Sequence, residues 1–291
     1  MKKLLKWVGI VVAVALVLVA ITGFMLMQSG KSKAMERFEV TGLLESAPSD
    51  SATLARGLHI AQTRVCHDCH GEALEGKVFA DAPPFRMVAP NLTSGKGGVA
   101  ASYRSISDWD RSIRYGVRPN GTALLIMPAR AFHHLSDTDA AALIAYVRSM
   151  PPVDNELPAR EIRPLGNVLL GAGALDIAME VRTQPARKAA PPEGATPEYG
   201  EYIIDSLCAY CHGDDLGGGP ALEPGTPPPP SLAAASAWPL DQFATAIRTG
   251  IAPGGRQLNA QLMPTMAFSH FTDQEIEAVH RYLQQHFGTS M

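Results

Sequence analysis

The first feature along the chain is an unbroken apolar stretch. From Trp7 to Met27 the run WVGIVVAVALVLVAITGFMLM is interrupted only by Thr22 and its glycines, and no charge falls between Trp7 and Gly30. Twenty-one residues at helical rise cover about 31 Å, the thickness of a bilayer core. A cleaved signal peptide would carry a shorter stretch, about 7–15 residues, ending in a small-x-small site. Here Met25, Leu26, Met27 and Gln28 follow instead. The pattern therefore predicts an uncleaved transmembrane helix within residues 1–30, with a stalk rich in Ser, Lys and Glu over 31–52. Lys2, Lys3 and Lys6 precede the run, which predicts a cytoplasmic N-terminus. In a bacterium this makes a single-pass inner-membrane protein with the rest of the chain in the periplasm.

Beyond the stalk the apolar positions follow a helical period. Leu143, Tyr146, Val147 and Met150 form one stripe, stopped by Pro151-Pro152, and Ile276, Val279, Tyr282 and Leu283 form another. Thr272-Asp-Gln-Glu275 is a capping box ahead of the second stripe, and Ser136-Asp-Thr-Asp139 is a weaker one ahead of the first. No stretch shows convincing strand alternation, so the fold class expected is all-α, in short helices joined by long loops.

The chain also repeats itself. ARGLHIAQTRVCHDCHGEALEG (55–76) matches EYGEYIIDSLCAYCHGDDLGG (198–218), and APNL (89–92) matches PPSL (229–232). SIRYGVRPNG (112–121) matches AIRTGIAPGG (246–255), and MPARAFHHLSDTD (127–139) matches MPTMAFSHFTDQE (263–275). Two tandem domains are expected at 53–152 and 198–291. The interdomain segment, 153–197, is proline-rich at both ends, with an apolar middle at 164–181 expected to pack onto a lobe.

Composition narrows the class. Hydrophobic residues are 46% and charged residues 18%, enough apolar material for packed cores. The net charge of −3 excludes a nucleic-acid binder that works by general basicity. That charge is uneven: residues 50–152 carry eleven basic and nine acidic side chains, and residues 198–291 carry three and ten. The acidic second lobe, through Asp214, Asp215 and Glu223, is the expected docking face for a basic partner.

The four cysteines decide the chemistry. CHDCH (66–70) and CAYCH (208–212) are C-x-x-C-H, in which two thiols can add to the two vinyl groups of a haem and the adjacent histidine can reach the iron. A zinc ribbon would place its C-x-x-C pairs about 15–20 residues apart, a redox dithiol would sit near a βαβ pattern, and a disulfide would close only a very small loop. Two covalently attached haems c are thus expected, on Cys66 and Cys69 and on Cys208 and Cys211, with His70 and His212 as iron ligands. Met127 and Met263, each followed by proline at matching places in the repeat, are the candidate sixth ligands; such a His/Met set raises the reduction potential. Met266 is a rival to Met263, and His134 and His270 would allow a bis-His site.

These motifs resemble class I cytochromes c. In that family a Pro-x-Leu step supplies the carbonyl that holds the axial histidine, which points to Pro90 with Leu92 and to Pro230 with Leu232. The family's crossing of first and last helices implies the pairs Gly57–Tyr146 and Gly200–Tyr282. PNLT (90–93), IRYGVRPNG (113–121), MPARAFHHLSD (127–137) and AYVRSMPPV (145–153) are also similar, in order, to the cytochrome c subunits of membrane-associated periplasmic dehydrogenases. Many of those carry three haems and lack such an anchor.

The resemblance implies an electron-transfer protein, not an enzyme. It would be a membrane-anchored dihaem cytochrome carrying single electrons between a periplasmic donor, such as a dehydrogenase, and a respiratory-chain acceptor such as an oxidase or another cytochrome. A dihaem peroxidase is the enzyme alternative, but it needs an iron that can open, and both lobes offer a Met-Pro step. A haem-based sensor would need a signalling domain. No Gly-rich phosphate loop, nucleophile motif or other site for an organic substrate is visible.

Overall fold

The computed structural model describes residues 2–40, 44–182, 189–221, 225–260 and 262–288. It opens with α1 (Lys2–Ala34), whose large apolar side chains from Leu4 to Met25 are mostly exposed. It is the one helix among the described residues long and apolar enough to cross a membrane, a property that a signal sequence shares.

The first lobe contains α2 (Ser51–Thr63), α3 (Cys66–His70), β1 (Lys77–Asp81), β2 (Phe85–Ala89), α4 (Ile106–Tyr115), α5 (Ala129–Phe132) and α6 (Asp137–Ser149). Each long helix has a chemical start: the Asp50 carboxylate accepts from the N–H groups of Ala52 and Thr53, Ser105 and Asp108 make a reciprocal box, and Ser136 accepts from Asp139. β3 (Glu161–Ile162), α7 (Pro164–Gly171) and α8 (Met179–Arg182) follow.

The second lobe begins with α9 (Pro197–Ile203), which runs through a π-helical turn at Ile204–Cys208 into α10 (Ala209–His212). It continues with α11 (Ala233–Ser236), α12 (Leu240–Thr249), β4 (Ile251–Ala252), β5 (Arg256–Gln257), α13 (Thr265–Phe268) and α14 (Asp273–Gly288). The Thr272–Glu275 box closes as expected, with Thr272 N–H donating to Glu275 and Glu275 N–H to the Thr272 hydroxyl.

The expectation of an all-α fold is corrected. The lobes are mainly helical, but β1, β2 and β3 form an antiparallel sheet in that order, and β4 and β5 form a two-residue pair. Alternation could not reveal β1, because it buries neither face: Val78 and Phe79 are exposed, and a bulge breaks its register between Val78 and Ala80. β3 reaches β2 from the interdomain segment, a pairing between positions far apart in the chain.

In both lobes the first long helix crosses the last at a glycine. A Cβ on Gly57 would come within 2.1 Å of the Ala142 carbonyl oxygen and 2.6 Å of Tyr146 Cβ. One on Gly200 would come within 2.1 Å of the Ala278 carbonyl oxygen and 3.0 Å of Tyr282 Cβ. Around these crossings lie two apolar cores, one built on Ile60, Leu74, Trp109, Phe132, Leu143 and Ile144, the other on Ile203, Leu216, Phe243, Phe268, Ile276 and Leu283.

The repeated Ile-Arg step ties the middle helix to the start of the last. Arg114 is fully buried; it pairs with buried Asp110 and donates to Asp137 at 2.7 Å and to the Leu135 carbonyl at 3.3 Å. Arg248 repeats the tie, donating to Asp273 at 2.7 Å and to the Phe271 carbonyl at 2.9 Å, but nearer solvent.

The segment after residue 152 is laid onto the first lobe. Asn91 donates to the Val153 carbonyl at 2.7 Å, and the Val153 N–H donates to the Thr93 hydroxyl at 3.0 Å. Farther on, α7 packs against the sheet through Gly166 and Phe85, and against the end of α1. Backbone approaches backbone there: a Cβ on Gly30 would stand 1.8 Å from the Asn167 carbonyl oxygen, and one on Gly171 would stand 1.9 Å from that of Leu26.

Gly57→Ala or Gly200→Ala should destabilise the protein by about 1–3 kcal/mol or more in denaturant titration, because backbone must shift to admit a methyl. Gly194→Ala, where a Cβ would meet only the Thr196 side chain at 3.4 Å, should change little. Arg114→Met should cost about 3–5 kcal/mol, since it leaves Asp110 buried and unpaired, whereas Arg248→Met should cost about 1 kcal/mol or less.

Candidate functional site

In the first lobe α2 ends at Arg64, Val65 turns the chain with φ 57°, and α3 carries Cys66, Cys69 and His70 in a single short helix. The second lobe has one residue fewer between its crossing glycine and its first cysteine, seven against eight. It keeps the helix going through the π-helical turn instead of breaking it. Both routes end alike. Gly71 and Gly213 both have φ 83°, and Leu74 and Leu216 both have φ 57° and are buried. The Leu92 N–H then donates to the Leu74 carbonyl at 2.8 Å, and the Leu232 N–H to that of Leu216 at 2.9 Å.

That turn brings a proline carbonyl onto each histidine. His70 Nδ1 lies 2.9 Å from the Pro90 carbonyl oxygen, and His212 Nδ1 lies 2.8 Å from that of Pro230. A carbonyl can only accept, so Nδ1 is the protonated nitrogen and Nε2 keeps its lone pair. Burial pushes both imidazoles below the ordinary histidine value, with the carbonyl bond opposing it.

All four cysteines are free. Burial pushes the thiols of Cys66 and Cys208 up to about 12 and raises Cys69 and Cys211 as well. As free side chains such thiols stay protonated. No cluster of three or more His, Cys, Asp or Glu that could hold a bare metal ion occurs among the described residues.

The methionines separate by burial. Met127 packs on the same core cluster as Cys66 and Leu92, and Met263 on the same cluster as Cys208 and Leu232. Each is followed by a turn in which the residue after proline donates back to the methionine carbonyl at 2.8 Å. Met266 is 81% exposed. His270 is exposed, while His134 is half-buried and faces Asp205 of the other lobe at 3.9 Å.

The contact between the lobes went unread in the sequence, though the repeat register could have shown it. His59 Nε2 donates to Glu275 at 2.8 Å, and the Tyr202 hydroxyl donates to Asp139 at 2.6 Å. Aligning Gly57 with Gly200 makes His59 and Tyr202 equivalent, and the cap acids Asp139 and Glu275 are equivalent too. Each lobe thus gives a helix side chain to the acid at the third position of the other lobe's last helix, and Asp139, unlike Glu275, closes no reciprocal cap: the Ser136 N–H donates to the Tyr202 hydroxyl instead. Val65 packs on the second core and Tyr210 on the first. Arg64, 3% exposed, donates to the Ser206 hydroxyl at 3.1 Å; both residues lie two positions before a first cysteine. Of the acids expected to dock a partner, Asp214 pairs with Arg130 of the first lobe at 3.3 Å and Asp215 accepts from the Gly217 N–H in its own turn. Glu223 lies outside the described residues.

Family models divide the chain in the same place. Residues 54–151 match the cytochrome c family, and residues 195–283 match the family described as cytochrome c oxidase, cbb3-type, subunit III. Both lobes are cytochrome c domains. Across these domains the chain is 30% identical over 171 residues to a nicotinate dehydrogenase subunit of Pseudomonas putida, covering 56% of this chain and 14% of that protein. It is 25% identical over 175 residues to the fructose dehydrogenase cytochrome subunit of Gluconobacter japonicus, covering 57% and 36%. It is 24% identical over 283 residues to the cytochrome c subunit of the quinone alcohol dehydrogenase of Gluconacetobacter polyoxogenes, covering 84% and 58%. The chain therefore spans less than three-fifths of the length of each of these relatives.

The cytochrome domains should separate in acid. Burial alone would raise the carboxyls of Asp139 and Glu275, but bonds from Arg56 and from His59 hold them below their ordinary values. Depressed carboxyls stabilise the folded form above the unfolded-state values near 4 and lose that stabilisation as pH falls through the folded values. Asp139→Asn with Glu275→Gln should therefore lower the thermal midpoint at pH 7 and flatten its decline below about pH 4.

Proposed function

We propose that the chain is a membrane-anchored dihaem c-type cytochrome that carries single electrons from a periplasmic dehydrogenase to a respiratory-chain acceptor. The observation that carries this reading is the histidine–carbonyl bond, built twice on unlike helices and twice leaving Nε2 free beside a C-x-x-C pair. Bound haem would supply a one-electron iron couple.

The protein's own groups do the rest. Cys66 with Cys69, and Cys208 with Cys211, would hold the two groups by thioether bonds. His70 and His212 would supply iron ligands through Nε2, with ring orientation held by Pro90 and Pro230. Met127 and Met263 would supply the further ligands, and their half-buried place on the core clusters supports this choice over exposed Met266. The cores exclude water, which lowers the cost of reorganisation when charge moves. Relatives named as cytochrome subunits of fructose, alcohol and gluconate dehydrogenases support a dehydrogenase as donor.

For the anchor, the supporting feature is the seam between α1 and α7. Leu26 and Gly30 meet α7 backbone, and Lys33 donates to the Leu170 carbonyl at 2.9 Å. Cleavage after the apolar run would discard part of a folded contact. With α1 retained, the N-terminus is cytoplasmic and both lobes are periplasmic.

Mass spectrometry of protein matured in a bacterial periplasm should show two haem additions and an uncleaved N-terminus. The oxidised protein should show the weak far-red sulfur-to-iron band. Met127→His should lower one midpoint potential and leave the other nearly unchanged. Met263→Ala should remove the second lobe's share of the band, while Met266→Ala should not. One haem or none would overturn the reading.

A further inference from the structure

The short helix α7 runs antiparallel to the end of α1 in a fixed register. Gly30 meets the Asn167 backbone, and four residues nearer the N-terminus Leu26 meets Gly171, four residues farther along α7. Each step is about 6 Å of helix, so α7 descends along α1 toward the apolar run 7–27 and ends level with Leu26, inside that run. The glycines admit the close backbone contact by which helices pack within a membrane.

Charge divides at one height on both helices. None falls between Trp7 and Gly30, and Lys31, Lys33 and Glu36 come next; none falls between Pro164 and Leu175, with Arg163 before and Asp176 after. Asp176 pairs with Arg182 at 2.8 Å, and Arg182 pairs with Glu36 beyond the end of α1, so these charges gather on the side away from the apolar run. The turn itself is open: Ala172, Gly173, Ala174 and Leu175 are all exposed. Its backbone is nevertheless closed. The Ala172 N–H donates to the Val168 carbonyl at 2.9 Å, Gly173 to Leu170 at 3.1 Å and Ala174 to Leu169 at 3.0 Å, around Gly173 at φ 73°. Lys33 reaches down from the charged zone to donate to the Leu170 carbonyl at 2.9 Å. Internal pairing of this kind is what hydrocarbon demands of a backbone.

We propose that the end of α7 and the turn 172–175 enter the periplasmic leaflet beside α1, with acyl chains as the partner that covers them. This rests on α1 being retained as a membrane span. The same lipid that surrounds the outer end of α1 then reaches the uncharged turn at the same depth, while the Lys33, Asp176, Arg182 and Glu36 side chains stay among the headgroups. Because α7 also packs on the sheet through Gly166 and Phe85, the first lobe is held to the bilayer at two places. A lone helix and stalk would let it swing; the second contact sets its tilt and its height above the membrane.

The test is photolabelling of the full-length, unsubstituted protein in vesicles of phosphatidylethanolamine and phosphatidylglycerol whose acyl chains carry a diazirine, with adducts located by mass spectrometry. With the diazirine near the headgroup end of the chain, adducts should fall on residues 169–175 as well as on Phe24 and Met25 of α1. With it at the chain terminus they should shift to the middle of α1, around Val14, and be lost from 169–175. Leu240 and Ile251, exposed apolar side chains of the second lobe, should carry none with either lipid. Adducts on α1 with none on 169–175 would overturn the insertion and leave the anchor intact, as would a cross-link at 169–175 to a second copy of the chain. Labelling of 169–175 no stronger than that of Leu240 and Ile251 would reflect exposure alone and overturn it too. Adducts on neither α1 nor 169–175 would instead overturn the retained anchor.

Discussion

Each lobe depends on one close approach of backbone to backbone, Gly57 on Ala142 in the first and Gly200 on Ala278 in the second. Only a residue without a side chain lets the first helix lie that near the last. The crossing sets the depth of the core beneath it, and with it the place at which the chain leaves the helix for the C-x-x-C-H turn. From there Leu74 and Leu216, held at φ 57°, bring a proline carbonyl back onto the histidine. The lobes reach this geometry by different local means, a left-handed residue in one and a π-helical turn in the other. The end point is therefore what the two halves of the repeat share, and the path to it is free.

The same crossed helices join the lobes. Their outer faces exchange His59 for Glu275 and Tyr202 for Asp139, and Arg64 closes the space between the two attachment motifs. The Arg64 charge is felt by both Cys66 and Cys208, so the two sites share one electrostatic environment across this seam. The uneven charge of the lobes is partly used here: Arg130 meets Asp214, and His134 faces Asp205. Acidic side chains on the second lobe thus serve the partner already attached to it, the first lobe.

A second seam links the lobes to the membrane-type helix. α7 is short and apolar, and it fits between the end of α1 and the sheet of the first lobe. The segment that supplies β3 and α7 therefore braces the first lobe. It fixes that lobe against the end of α1.

The sequence by itself determined the chemistry and its duplication. Two C-x-x-C-H motifs, two Met-Pro steps and two helix starts are all local signals, because attachment, capping and helix breaking each need particular residue types at fixed short spacing. It also located the one apolar run of membrane length. Tertiary structure decided what depends on residues far apart in the chain: the sheet that takes β3 from beyond the lobe, the reciprocal acid contacts between lobes, and the backbone contact of α1 with α7. β1 hides from any pattern because it buries neither face, and the place of Arg64 between the lobes can be recognised only once burial is known. Those properties arise from desolvation and from pairing across distance, neither of which leaves a periodic trace along the chain.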